Sequence, residues 1–275
     1  MAITTLDGVI AGGQIPAPIL KVGATTAAVG SQRAYTPWYA NGNPGASVTN
    51  TAGVNGQAVT PALNTPVNVI AGKIPRNNPA SGNAHIGRFQ AAASTAGTLW
   101  LVDRLWQNSG LSTTLTTAQA ITAAALPPRD DTGTTNGVGV FAGIEWAVAG
   151  GAGAPTVTLT YTSQDGTAGR TATFTGVASP PVGTVEIFSP TAANGGVRAP
   201  SQYQASATRT SGTMNLVLFR FIAPLNLSIA NIPDAIDFVT GGGVKIHNDS
   251  VLQLLWFPTV TTATTIVGQY IETHG

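Results

Sequence analysis

Thr156-Val157-Thr158-Leu159-Thr160-Tyr161-Thr162 alternates a threonine with an apolar residue without a fault. A chain with that period of two puts Val157, Leu159 and Tyr161 on one side of a strand and every threonine on the other. Ser163-Gln164-Asp165-Gly166 then supplies turn chemistry, and Arg170 to Thr175 returns with Ala172 and Phe174 inward. The stretch reads as a β-hairpin with one face in a core and one in water.

The same period recurs on both sides of the hairpin. Val138, Val140, Ala142, Ile144, Trp146 and Val148 form one face of a longer strand. Met214 to Ile222 and Val251 to Phe257 are apolar on both parities, as in central strands covered on both sides. Further strands are predicted at Thr98 to Trp106, Thr184 to Phe188, Gln202 to Thr208 and Thr264 to Ile271. Helix is predicted over Asn231 to Asp237, where an asparagine cap and Pro233 precede the stop at Gly241-Gly242-Gly243. Ala118 to Leu126 has helical propensity after a threonine-rich run, and stays open between helix and strand. Eight or more short strands separated by turn signals predict an all-β fold, a jelly-roll-like β-sandwich over residues 96–275.

Residues 1–95 read differently. Gly and Pro break them at Gly12 to Pro18, at Asn41 to Gly45 and at Pro75 to Pro79. Proline fixes its own φ and biases its predecessor toward extended backbone, so Ile15 to Leu20 is expected to run extended. Between the breaks lie short apolar groups, including Val67, Val69 and Ile70. Two readings fit: an ordered attachment arm lying on another surface, or a loop-rich subdomain packed on its own chain. On the arm reading, Ile3, Leu6, Val9, Ile10, Ile15, Ile19 and Leu20 supply the contact, and residues after 96 fold without them. Tyr35, Trp38 and Tyr39 are anchors at the same interface, because Tyr and Trp are enriched there. The alternative for this trio is a platform on which a sugar ring stacks.

Charged residues make up 8% of the 275, against about 25% in an ordinary soluble domain. Such a surface repels its own copies weakly, and so it predicts a homo-oligomer, a trimer by preference. The formal net charge is +1 and no Lys/Arg run occurs, which sets nucleic acid aside. The absence of cysteine excludes disulfides, zinc-thiolate sites and cysteine nucleophiles. No basic stretch followed by an apolar one marks a secretory leader at Met1 to Asp7. No apolar run is long enough for a spanning helix, so no membrane partner is expected.

Catalytic patterns are scarce. Neither a Gly-x-Ser-x-Gly elbow nor a phosphate-binding Gly-x4-Gly-Lys-[Ser/Thr] loop is present. Gly137 to Gly143 misses the dinucleotide spacing by one and reads as a strand. His85, His247 and His274 are far apart, and His247-Asn248-Asp249 reads as a turn rather than a ligand set. Asp130-Asp131 is the best paired carboxylate, suited to calcium or a shared proton, or more simply to capping a Pro/Gly turn. Asp103, Glu145 and Arg220 interrupt apolar strands; turned inward they must pair, and Arg220 is expected to meet Asp103 or Glu145. A non-enzymatic protein without metal or cofactor is the expectation.

Several stretches together bring a family into view: Leu6-Asp7-Gly8-Val9-Ile10-Ala11-Gly12, Gly42-Asn43-Pro44-Gly45, Ala96 to Trp106, Pro127-Pro128-Arg129-Asp130, and Gly166-Thr167-Ala168-Gly169-Arg170 in the hairpin. They resemble the virion structural proteins of tailed bacteriophages, over nearly the whole chain. The resemblance implies a particle component, often of the head or its decoration, with no catalytic residues. Its expected partners are the major capsid protein or other virion proteins, and its place is the virion. A tail-tip or fibre module that binds a receptor carbohydrate is the alternative. A depolymerase is a third reading, lacking a convincing pair among the eleven acids.

Overall fold

The computed structural model describes residues 5–14, 16–24, 33–48, 56–62, 71–190 and 195–275. The threonine hairpin forms as the alternation requires: β9 (Thr156–Ser163) pairs antiparallel with β10 (Arg170–Thr175), Thr158 opposite Thr173 and Leu159 opposite Ala172. With β7 (Gln119–Ala120), β12 (Ser189–Pro190) and β13 (Val197–Ala205) they make a five-stranded sheet, the threonine sheet.

The middle of the molecule is a ring of strands. β2 (Arg33–Tyr35), β6 (Gly97–Ser112), β8 (Val140–Val148), β11 (Thr184–Ile187), β14 (Thr213–Leu227) and β17 (Leu252–Pro258) pair in the order β14-β8-β11-β2-β17-β6. β6 pairs with β14 again, so the six close into an antiparallel barrel. The short β4 (Gln57–Ala58) adds to β6 outside the ring. β6 and β14 are apolar on both parities because one side lines the barrel and the other packs on a flanking sheet.

The second flank is the terminal sheet: β1 (Ala17–Ala24), β3 (Asn41–Asn43), β5 (Ala84–Ala93), β15 (Asp234–Asp237) and β18 (Thr264–His274), with β16 (Lys245–Ile246) beside β5. Among the described residues, helix is confined to α1 (Leu6–Ala11) and one 3-10 turn (Pro37–Tyr39).

Three cores follow. Leu216, Leu218, Ile144 and Trp146 of the barrel meet Leu159, Tyr161 and Phe174 of the threonine sheet. Leu101, Leu225, Leu252 and Trp256 meet Ile19, Phe89 and Tyr270 of the terminal sheet. Inside the ring, Val102, Val185, Val217, Phe219 and Leu255 fill the interior. Gly143 leaves the room this requires, since a Cβ there would stand 2.9 Å from Val185 Cγ1. The all-β, sandwich-like class expected from the sequence is therefore the class observed, with two sandwiches sharing one barrel.

The division near residue 95 is corrected. β1 and β5 flank β18 on its two sides, and β2 is a barrel strand. Pro and Gly break this part of the chain into short pieces, but those pieces complete sheets begun by the rest. The helix expected over 231–237 is corrected too. Asn231 takes a left-handed φ of 62°, and Asp234 to Asp237 pairs with Arg88 to Ala91 as an edge strand. Asp237 caps the backbone N–H of Val239 and Thr240, so the capping chemistry serves a turn. In Ala118 to Leu126 only the two residues of β7 are regular structure. The α-helix found among the described residues lies where none was expected: Thr5 accepts from Gly8 N at 3.1 Å and opens α1.

Candidate interaction surface

The residues expected to form an attachment arm separate into different environments. Ile3 and Ile15, like Val67, Val69 and Ile70, lie outside the described residues, and Leu6 is described in its backbone alone. Tyr35, Trp38 and Ile19 are corrected: all three are buried in this chain's own cores. Trp38 plugs one end of the barrel with Val59 and Val251. Tyr39 is partly buried, and its hydroxyl donates 2.9 Å to Glu145. Neither an external interface nor a sugar platform is open to these aromatics. Val9 is half-buried, whereas Ile10 and Leu20 are exposed.

Leu20 belongs to a larger feature. On β1, even-numbered residues point away from the barrel, and Leu20 stands directly opposite Val267 of β18, itself opposite Ala92 of β5. Leu20 is 43% exposed, Val22 50% and Val267 53%. Ile10, Ile229, Ile232 and Val239, all exposed, lie in the segments that adjoin this sheet. The outer face of the terminal sheet carries an apolar strip at Leu20, Val22 and Val267. The opposite flank differs: the threonine sheet faces outward with Thr158 opposite Thr173, Thr160 opposite Thr171, and Gln204 beside Thr158. Scattered apolar residues on a surface are ordinary, but apolar residues adjacent across paired strands make this the candidate interaction face.

The polar groups flagged in the sequence are structural where the geometry is clear. Inside the barrel, Arg104 binds Glu145 through two bonds of 2.8 Å, with Gln253 and Tyr39 completing the carboxylate's partners. Burial pushes the Glu145 carboxyl up, but the Arg104 charge and these bonds outweigh it and hold it below the usual range. Asp103 is held by Arg129, Ser250 and the backbone of Val251. Arg220 is buried as expected, but its partner is corrected: it donates to the carbonyl of Lys245 at 3.2 and 3.3 Å. Arg104 and Arg129 have already taken the two acids.

Asp130 is a capping residue. Its carboxylate accepts from the backbones of Thr132, Thr134, Gly137 and Val138 and from two threonine hydroxyls. Burial alone would raise its pKa; the bonds, led by those from Thr134, bring it to about 2. Asp131 is exposed and sits over Gly139, a left-handed residue (φ 69°) that as glycine has no Cβ to meet the carboxylate. His247 bonds the Asp130 carbonyl, and His85 the Gly243 carbonyl. His274 contacts Glu272 at 3.0 Å, a pairing that the shared parity of Glu272 and His274 on one strand could have signalled. Among the described residues, no three His, Asp or Glu side chains converge to hold a metal.

One feature was missed in the sequence. Trp100, Phe141, Phe221 and Phe257 meet at one end of the barrel, with Trp100 at their centre, 4.4 Å from Phe257 and 5.1 Å from Phe221. Phe221 is 37% exposed. These residues come from four strands, so no local pattern joins them.

Fold and surface define an all-β, sandwich-like protein with one apolar flank and one hydroxylated flank. The chain matches no protein-family model, no curated protein and no solved structure.

Proposed function

We propose that this chain is a structural component of a bacteriophage particle, a decoration protein that lies on the head lattice and stabilises it. The observation that carries the reading is the asymmetry between the two flanks. The strip at Leu20, Val22 and Val267 supplies apolar area for attachment, and the threonine face opposite is suited to remain in water. A charge content of 8% lets many copies sit close together without repulsion. A closed barrel between two sheets gives the rigid body that a lattice component needs.

The test is sedimentation with purified particles and an antibody against the chain. Wild-type chain is expected in the particle fractions, and the Leu20→Lys, Val267→Lys double variant in the soluble ones. Absence of the wild type from the particle fractions overturns the reading. A tail-associated carbohydrate-binding module is the second reading, and the aromatic end of the barrel favours it, since sugar C–H faces stack on such rings. A glycan array in which Trp100→Ala removes a signal would support it.

A further inference from the structure

A cleft of about 430 Å³ opens beside the first residues of β1, where β3 no longer covers the strand. Its size is in the range of small-molecule sites. Pro16, Pro18, Pro75 and Tyr270 give it apolar walls, and Gln14, Asn43 and Asn77 bring amides. Lys73, Arg76, Glu272 and His274 complete the lining, two cations against one acid.

The two cations are not equivalent. Arg76 is neutralised in place: its guanidinium binds Glu272 at 2.6 and 3.2 Å, and Glu272 also accepts from the Tyr270 hydroxyl at 3.0 Å. Lys73 has a different situation. Its ammonium donates 2.9 Å to the Pro61 carbonyl, and no acid lies within ion-pair distance. All eleven acids of the chain are among the described residues, so no carboxylate of this chain is placed to compensate it. Burial lowers the Lys73 pKa, the direction expected of a cation without a counter-charge.

We propose that this cleft binds an acidic monosaccharide, its carboxylate on Lys73 and its ring against the proline and tyrosine wall. The amides favour a sugar over a simple organic acid. Each amide both donates and accepts, which suits a ring of hydroxyl groups and has no counterpart in a fatty or aromatic acid. The site uses none of the residues at the aromatic end of the barrel and does not depend on a particle role.

The experiment uses the full chain, with sodium glucuronate, glucose and sodium acetate titrated separately and the cleft residues followed by NMR. Glucuronate is expected to shift them saturably in the millimolar range, with glucose and acetate each weaker by about tenfold or more. Lys73→Gln should reduce glucuronate binding by at least the same factor, and Asn77→Ala, an exposed site, by a smaller one. Unfolding midpoints of both variants check that the fold is kept. Equal affinity for acetate and glucuronate would overturn the sugar. The site itself is overturned by unmoved cleft resonances at 20-fold the millimolar concentration, or by undiminished binding in a folded Lys73→Gln chain.

Discussion

Glu145 has no solvent exposure, and among the described residues its charge is held by Arg104 alone of the cations. Glu145→Gln leaves the Arg104 guanidinium buried without a counter-ion, and should cost about 3–5 kcal/mol in urea unfolding. A cost under about 1 kcal/mol would show that Arg104 finds water on losing its partner. Arg220→Met should behave differently. It removes hydrogen bonds to one carbonyl and leaves Asp103 still bound to Arg129, so about 1–3 kcal/mol is expected. Asp130 predicts a pH effect. Its carboxyl titrates near 2 in the fold against an ordinary 3.8, so the unfolded chain takes up the proton first. The stabilisation is complete above about pH 4 and is lost as pH falls toward 2. Asp130→Asn should remove that part of the acid sensitivity, seen as a flatter midpoint between pH 4 and 2; an unchanged slope would contradict it. The sequence made Asp103, Glu145 and Arg220 visible as charges inside apolar strands. It could not say which arginine reached which acid, because the partners are 26 and 41 residues apart in the chain and meet only in the tertiary fold. Arg129 comes from a loop, and Glu145 from a strand that β6 does not pair with.

At the scale of elements, strands with an unbroken period were legible, and strands assembled from fragments were not. β9 and β10 announce themselves through threonine alternation, and β8 and β18 through long apolar faces. β1 was legible only as extended chain over Ile15 to Leu20, and β2 and β3 are three residues each, too short for any period to show. Their strand character comes from neighbours far along the chain, such as Tyr270 opposite Ala17 and Trp256 opposite Tyr35. Tertiary pairing likewise overrides the helical signals near Asn231. The consequence reverses what the sequence suggested about residues 1–95. A chain shortened to begin at Ala93 would strip β18 of its partners on both sides and leave Trp256 and Leu225 uncovered. It should fail to unfold cooperatively and should bind an apolar dye. A sharp, wild-type-like transition would mean that the terminal sheet is dispensable.

For the whole molecule, the two flanks predict how copies associate. Leu20→Lys with Val267→Lys lies on an exposed face and should change stability by no more than about 0.5 kcal/mol for each site. If the apolar strip joins copies of this chain, light scattering should give an oligomer for the wild type and a smaller mass for the variant. A wild-type monomer over a wide concentration range would show that the strip does not join copies of this chain. The low charge content predicts association from the sequence alone, but which face would carry it could not be read there. Leu20, Val22 and Val267 form one strip only because β1 and β18, from opposite ends of the chain, lie side by side.

That neighbourhood also orders events during synthesis. Ala17 pairs with Tyr270 and Ala84 with His274, so the terminal sheet has no centre until residues 264–274 have been made. While a ribosome is still adding β17, the strands β1 and β5 have been made but have no β18 between them. Their apolar inner faces, Ile19 and Phe89 among them, must wait for β18. Contacts of such long range make folding slow and leave strand edges open meanwhile. A nascent chain of this protein is therefore expected to occupy chaperones until β18 has emerged, and to complete its second sandwich only then.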